Sequence, residues 1–442
     1  MTLRSMSTSP DKIVSLFSGA GGCSLGFAAA GLKPSVAADI DPDACNSYGM
    51  NLGVDCDLLD LSSTDGVERI IKRVGEQPPF AIVGGPPCQG FSAAGPRKGQ
   101  DPRNRLIYNY LSLISRLKPR WLLFENVEGL LTSNGGKDVV GMAQELRSIG
   151  YSFRIEKVNF AGYGLPQTRK RVIIVGNKMG HYFRLPHATF RFDSGKSKSY
   201  ADLPFAPTLL EAIGDLPRPS SIECELNYGL CAPGSRFAAQ LRNPAGTVAH
   251  HWISRESAAA CVARHLRPGE TAKDLPPELQ HESFLRRANR RVRDGTPTER
   301  RGGPPADFRR LRGDLNALTI TGAAYRDFIH PLDDRSLTLR ECARLQSFAD
   351  AFRFEGNAQS MARQIGNAIP PLAAQVLAQA ILLEDGKAGA DVGAPAVSPV
   401  SGLMGFRLTE ARMSPALAAT AAALDALMND SDLLPINHNI VS

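Results

Sequence analysis

From Lys12 to Gly176, short runs of aliphatic, β-branched and aromatic residues alternate with stretches whose apolar positions recur at helical spacing. Six runs read as strands: Lys12–Phe17, Ser35–Asp39, Phe80–Gly84, Arg120–Glu125, Tyr151–Asn159 and Arg171–Gly176. Near-continuous apolar runs bounded by Gly, Pro or Asp suit strands buried on both faces. Between them, the stretch after Gly22 and the segments Val67–Val74, Leu106–Leu117 and Val139–Ile149 carry a helical period. Strands interleaved with helices predict an α/β fold built on a doubly wound, mostly parallel sheet. After Asn177 the rhythm dissolves into a Pro-, Arg- and Gly-rich stretch, and helical patterning returns at Leu337–Phe348 and Pro371–Leu383. The pattern divides the chain into a flexible N-terminus (1–11), the first part of an α/β domain (12–176) and a second, smaller irregular domain (177–330). A return segment (331–385) completes the α/β domain, and a linker and C-terminal extension (386–442) follow, with one Ala/Leu-rich helical run at Pro415–Met428.

The composition narrows the class. A chain of 442 residues, 43% hydrophobic and 21% charged, is long enough for two or three domains and apolar enough to fold. The run Pro371–Leu383 is interrupted by Gln375 and Gln379 and falls short of the roughly 18 residues of a membrane span, so no membrane partner is expected. Met1–Lys12 holds no apolar run of signal-peptide length. Eight cysteines without a CxxC pair argue against a disulfide framework and against a zinc site, and fit a reducing cytoplasm. The net charge of +7 is concentrated: 177–330 holds 23 Lys and Arg against 16 Asp and Glu, and Arg286–Arg312 alone holds 10 Arg against Asp294, Glu299 and Asp307. Such a block is either a solvated basic surface or a surface facing phosphates.

Four sites carry candidate chemistry. Phe17-Ser18-Gly19-Ala20-Gly21-Gly22 closes the first strand and opens a helix, where glycines let backbone approach a ligand. Ser24 stands where a dinucleotide fingerprint needs its third glycine, so a nicotinamide loop is not matched. Asp39, twenty residues beyond Gly19 at the end of the next strand, is placed to accept from ribose hydroxyls; loop and carboxylate together indicate a nucleoside-containing cofactor. The second site, Gly84-Gly85-Pro86-Pro87-Cys88-Gln89-Gly90-Phe91-Ser92, follows an apolar strand. A free cysteine is commonly an inert buried hydrophobe. On a Pro-rigidified loop at a strand's C-terminal end, its thiolate can instead attack an electrophilic carbon. Glu125-Asn126-Val127 ends another strand at the same sheet edge, where a carboxyl in a partly apolar pocket can act as an acid. Gln167-Thr168-Arg169-Lys170-Arg171 precedes the last strand and offers guanidinium forks to a carbonyl or phosphate.

These motifs resemble, in order, those of the DNA (cytosine-5) methyltransferase family. The resemblance rests on Phe17–Gly22, Gly85-Pro86-Pro87-Cys88-Gln89, Glu125-Asn126-Val127, Gln167 with Arg169 and Arg171, Arg335-Ser336-Leu337-Thr338-Leu339-Arg340-Glu341 with Arg344-Leu345-Gln346, and Gly366-Asn367-Ala368-Ile369-Pro370-Pro371, spanning Lys12 to about Leu383. It implies a Rossmann-like methyltransferase fold that transfers a methyl group from S-adenosylmethionine to carbon 5 of a flipped-out cytosine, leaving S-adenosylhomocysteine and needing no metal. Cys88 would add to carbon 6, Glu125 would protonate ring nitrogen 3, Arg169 would hold the base carbonyl, and Arg171 would order the site. The cofactor would lie on Phe17, Ser18, Gly19, Ala20, Gly21, Gly22 and Pro86, with Asp39 on the ribose and Asn367 and Ala368 over the amino-acid end. Asp57, followed by Leu58, is preferred to Asp60 as the adenine contact. Asp39 stands in place of the family's commoner glutamate and Ile40 in place of a larger residue. The same resemblance makes 177–330 a target-recognition domain and duplex DNA the partner, read by a monomer, with a cognate restriction endonuclease as a candidate companion.

Three rival readings fare worse. The transfer-RNA branch of the family resembles one with a short variable region and a Cys-Phe-Thr tripeptide, and neither occurs here. A nucleotide-dependent oxidoreductase lacks support without the third glycine, and a catalytically silent DNA-binding regulator would be expected to have lost Cys88 or Glu125.

Overall fold

The computed structural model describes residues 12–87, 104–192, 202–253, 258–280, 308–390, 401–409 and 412–429. Eight strands form one sheet: β1 (Ile13–Leu16), β2 (Pro34–Asp39), β3 (Cys56–Leu58), β4 (Ala81–Gly84), β5 (Trp121–Val127), β6 (Ser152–Asn159), β7 (Lys170–Asn177) and β8 (Gly402–Arg407). Their order is β8-β6-β7-β5-β4-β1-β2-β3. Only β7 runs antiparallel to its neighbours, β5 and β6. All four residues of β1 and of β4 are buried, because each has a strand on both sides and helices on both faces.

Side-chain alternation divides the sheet's residues between two cores. Val14, Leu16, Ile82, Leu122, Phe124 and Ile174 face α3 (Thr64–Val74), α4 (Asn104–Leu117) and α5 (Lys137–Ser148). Ile13, Val83, Trp121, Leu123 and Ile173 face α1 (Gly22–Ala29) and α8 (Pro371–Ala390), where Phe27, Leu377 and Ile381 complete the layer. The doubly wound sheet is thus present, and the chain returns after residue 330 to finish it.

Four elements escape the hydrophobic pattern. α2 (Pro42–Leu52) has little apolar periodicity, but Asp41 caps it by accepting the N–H of Asp43 and Ala44, with Pro42 in its first turn. β3 is three residues long with an aspartate in the middle, and α7 (Ala358–Asn367), capped by Asn357, carries its apolar period in only a few residues, Met361, Ala362 and Ile365. The tail, read as linker and helix, holds β8 ahead of its helix α9 (Pro415–Asn429). Gly402 and Gly405 hide this strand from β-propensity, while pairing with β6 supplies its stability. Together α7 and α8 have the length and apolarity of a membrane span. Their apolar side is otherwise occupied: the chain leaves helical geometry at Ala368, and Ala373, Ala374, Leu377, Ala378 and Ile381 are wholly buried in the second core.

A third core joins the middle segment to the return segment. Leu209, Ile213, Phe237 and Phe328 pack with Cys342, Phe348 and Ile365, residues of or near α6 (Leu339–Leu345) and α7. The charged residues of the Arg335–Gln346 motif tie this joint together. Arg335 grips Glu341 with both arms, at 2.9 and 2.7 Å, and Glu341 also accepts the Thr338 N–H that opens α6. Against burial, which raises it, Arg335 draws the Glu341 carboxyl down to about 2. Arg340 donates to the carbonyls of Ala249, Ala349 and Phe352 at 2.9, 2.9 and 2.6 Å. Arg344, fully buried, bonds Asp350 and Asp215 together with the Ala212 carbonyl.

Candidate active site

The C-terminal ends of β4 and β5 and the start of β7 meet at one edge. Gly84 pairs with Phe124, and Val127 pairs with Arg171. Glu125 and Arg171 are therefore diagonal neighbours on one face of the β5–β7 ladder. Arg171 Nε lies 2.7 Å from Glu125 Oε1, although this carboxylate oxygen has no hydrogen bond of good geometry in the described structure. The contact is a charge pairing that leaves the carboxylate with unused acceptor capacity. The carboxylate also overhangs Gly85: a Cβ there would stand 3.0 Å from both the Glu125 carbonyl oxygen and Oε2, so any side chain would displace it. Asn126 donates from Nδ2 to the Pro86 carbonyl at 3.0 Å, fixing the backbone two residues before Cys88 in the sequence. Cys88 itself lies outside the described residues. Cys23, whose thiol feels the Glu125 charge, is buried in α1 and its pKa is pushed far up, first by burial, so it stays an unreactive thiol.

The two arginines, Arg169 expected on the base carbonyl and Arg171 expected to order the site, have different surroundings. Arg169 has no exposed surface; it donates from Nη1 to the Ile320 carbonyl at 2.9 Å and from Nη2 to the carbonyls of Gly366 and Ala368 at 3.0 and 2.9 Å, while Nε finds no partner. Burial and the charge of Arg171 lower its pKa to about 9. Its arms are spent on backbone, whereas Arg171 lies with Nε beside Glu125. Gln167 belongs to the same joint, donating to the Leu345 carbonyl and Gln346 Oε1 at 2.6 and 2.7 Å and accepting from Ile320 N–H at 2.9 Å. Gly366 permits the approach: a Cβ there would fall 2.2 Å from the Gly322 nitrogen.

At the neighbouring edge, Phe17, Gly19 and Gly21 all take positive φ, folding the chain back over the start of α1. Gly19 N–H donates to Asp39 Oδ2 at 2.7 Å and Asp41 N–H to Oδ1 at 3.0 Å. Burial pushes the Asp39 carboxyl up, against the lowering effect of these N–H groups. Gly22 sits against Ala368 and Ile369, so the loop and the Asn367–Ala368 turn border one space; Asn367 is exposed and Ala368 half-buried. Ile40 and Leu58 are 65% and 54% exposed at the ends of β2 and β3, an open apolar lip beside Asp39. This set of a carboxylate, bent backbone and two open aliphatic side chains fits an adenosyl group, whose hydroxyls need acceptors and whose ring needs apolar cover. Asp57 Oδ2 lies 3.6 Å from Arg73 Nε, and Asp60 accepts Ser62 N–H at 2.8 Å.

A cavity of about 460 Å³ opens beside Arg171, between the start of β7 and the end of the middle segment. Thr168 and Lys170 line one wall, and Thr319, Thr321 and Asp327 line the other. The hydrophobic pattern gives no sign of this second wall, because 316–327 carries no periodicity and its contribution depends on backbone pairing of Thr168 with Ala317. One arginine of the basic block is spent inside the protein. Arg310 is buried on the carbonyls of Ala263 and Leu266 and on Asp334, so it serves the fold, while Arg312 pairs with Asp314 at the surface. Arginines 286–301 lie outside the described residues.

Residues 12–383 match the family described as C-5 cytosine-specific DNA methylase. The chain is 32% identical over 391 residues to the Type II methyltransferase M.XorII of Xanthomonas oryzae, covering 84% of each. It is 28% identical over 372 residues to the Type II methyltransferase M1.HphI of Haemophilus parahaemolyticus, covering 84% of this chain and 86% of that one. Among solved structures, a prophage-encoded DNA modification methyltransferase from E. coli superposes with a TM-score of 0.61 at 24% identity, covering 85% of this chain and 99% of that one.

Proposed function

The chain belongs to the C-5 cytosine-specific DNA methylases, and from that premise we propose how its own residues methylate carbon 5 of cytosine in DNA. The Cys88 thiolate adds to carbon 6 of the ring while Glu125 shares its proton with ring nitrogen 3, so that the electrons pushed into the ring make carbon 5 nucleophilic. Arg171 steadies the carboxyl and reaches the base carbonyl, a task for which Arg169 has no arm to spare. When bound, S-adenosylmethionine supplies the electrophilic methyl group that carbon 5 takes. Loss of the carbon 5 proton and departure of the Cys88 sulfur then restore the aromatic ring. Carbons 5 and 6 are covered by stacking within a duplex, so the target base has to swing out of the helix to meet Cys88.

Phe17 to Gly22, Asp39, Ile40, Pro86, Asn367 and Ala368 hold the cofactor in this reading, with Asp57 and Leu58 on the adenine. Arginines 286–301 supply phosphate contacts, and the Type II designation of the relatives supports a role beside a cognate restriction endonuclease in the bacterial cytoplasm.

The observation that carries the mechanism is the Glu125 carboxylate, held by Arg171 over Gly85, three residues before Cys88 in the sequence. Incubation with labelled S-adenosylmethionine and mixed-sequence duplex DNA is expected to label cytosine, and Cys88→Ser to label nothing. A fluorinated cytosine in the duplex should trap the enzyme through Cys88. Labelling of RNA in place of DNA would refute the reading, and bisulfite sequencing of DNA from an expressing host would name the recognised site.

A further inference from the structure

Cys45, on α2, and Cys56, at the start of β3, are the only cysteine pair in sulfur contact among the described residues; the sulfurs are 3.0 Å apart. Cys45 is buried and Cys56 half-buried, so one sulfur is reachable from solvent and the other lies behind it. The pair sits beneath the adenosyl lip. Cys45 Sγ is 3.7 Å from the Asp39 carbonyl oxygen and 4.0 Å from that of Asp57, and Cys56 directly precedes Asp57.

We propose that Cys45 and Cys56 form a peroxide-sensitive dithiol whose oxidation to a disulfide weakens binding of the adenosyl cofactor. The Cys56 sulfur, the one open to solvent, attacks as its thiolate one oxygen of hydrogen peroxide and the O–O bond breaks. The departing hydroxide takes a proton and leaves as water, and Cys56 becomes a sulfenic acid. The Cys45 sulfur behind it then attacks the Cys56 sulfur and the S–O bond breaks. A second water departs with the Cys45 proton, so two thiols have lost two electrons and the peroxide has been reduced to two waters. The bond draws the start of β3 against α2, and the thiol proton near the Asp39 carbonyl is gone. Both changes fall on the residues that flank Asp39 and Asp57, so the effect on the cofactor rests on the site assigned above.

The test uses the full-length chain treated with hydrogen peroxide, digested without reductant and mapped by mass spectrometry. Binding of S-adenosylhomocysteine is followed in parallel by calorimetry. The expected result is a Cys45–Cys56 cross-linked peptide and a dissociation constant raised about tenfold, or about 1.4 kcal/mol, restored by dithiothreitol. Cys45→Ser and Cys56→Ser should bind with an affinity that peroxide does not change; both keep Cys88, so its oxidation cannot imitate the effect. Recovery of both cysteines without a cross-link, or a cross-link that leaves affinity unchanged, would overturn the proposal. Reduced protein that binds no S-adenosylhomocysteine would instead refute the cofactor site itself.

Discussion

Two arginines separated by one residue, Arg169 and Arg171, stand in regions built on opposite terms. Around Arg169, polar side chains are consumed by the fold: Gln167, Gln346 and Arg344 spend their donors on carbonyls or carboxylates in the joint between the middle and return segments. Around Arg171, the groups keep capacity in reserve. Glu125 Oε1 lacks a hydrogen bond, and Ile40 and Leu58 lie open at the adjacent edge. A buried donor matched to a carbonyl is costly to remove and does nothing else, whereas a group left short of partners costs stability and is available to a substrate.

The largest expected effect separates the two regions. Glu125→Gln, which keeps the shape of the side chain but not its proton, should lower kcat for methyl transfer by about 10²–10⁴-fold. Its thermal unfolding should remain close to that of the parent. Arg169→Ala should do the reverse, costing on the order of 3–5 kcal/mol in denaturant unfolding because three carbonyls lose their donor in a dry interior. If Arg169→Ala left stability intact and abolished catalysis, the proposed assignment of the base carbonyl to Arg171 would be wrong.

A pH series probes the joint. His250 accepts Phe354 N–H on Nε2 and faces Glu223 through Nδ1, which requires the neutral ring with its proton on Nδ1. Burial, with help from Arg340, lowers its pKa from 6.5 to about 4. The folded state thus binds the proton less readily than the unfolded chain. The stability His250 contributes is present above pH 6.5 and is lost as pH falls toward about 4. On the order of 3 kcal/mol is at stake. Unfolding midpoints between these limits should fall for the parent and fall less steeply for His250→Gln.

The smallest effects belong to the adenosyl lip. Ile40→Ala and Leu58→Ala should raise the dissociation constant for S-adenosylhomocysteine by a few fold, from roughly 1 kcal/mol of lost apolar cover. They should leave stability unchanged, because both side chains are open in the free protein. Asp57→Ala should weaken the cofactor more than Asp60→Ala; the opposite order would move the adenine contact to Asp60.

The strands that bear the reactive edge are readable because β1, β4, β5 and the body of β7 are short apolar runs closed by Gly, Glu or Asn. The candidate residues are readable because they interrupt that apolarity at strand ends. The different surroundings of Arg169 and Arg171 are not. Both precede or begin the same strand with the same alternation, and only packing against Ile320, Gly366 and Ala368, between 151 and 199 residues away, buries one of them. Equally hidden is the pairing of Cys45 with Cys56, which depends on a helix and a strand without hydrophobic signatures.

The eighth strand has a practical consequence for anyone shortening this chain. A fragment ended where the family match stops, at residue 383, would keep every candidate site residue yet strip β8 from β6. The backbone donors and acceptors of Ser152–Asn159 would then face solvent along one side, an invitation to strand-to-strand aggregation. Insolubility of such a fragment would report on that bared border, and its catalytic centre would have to be judged in the longer protein.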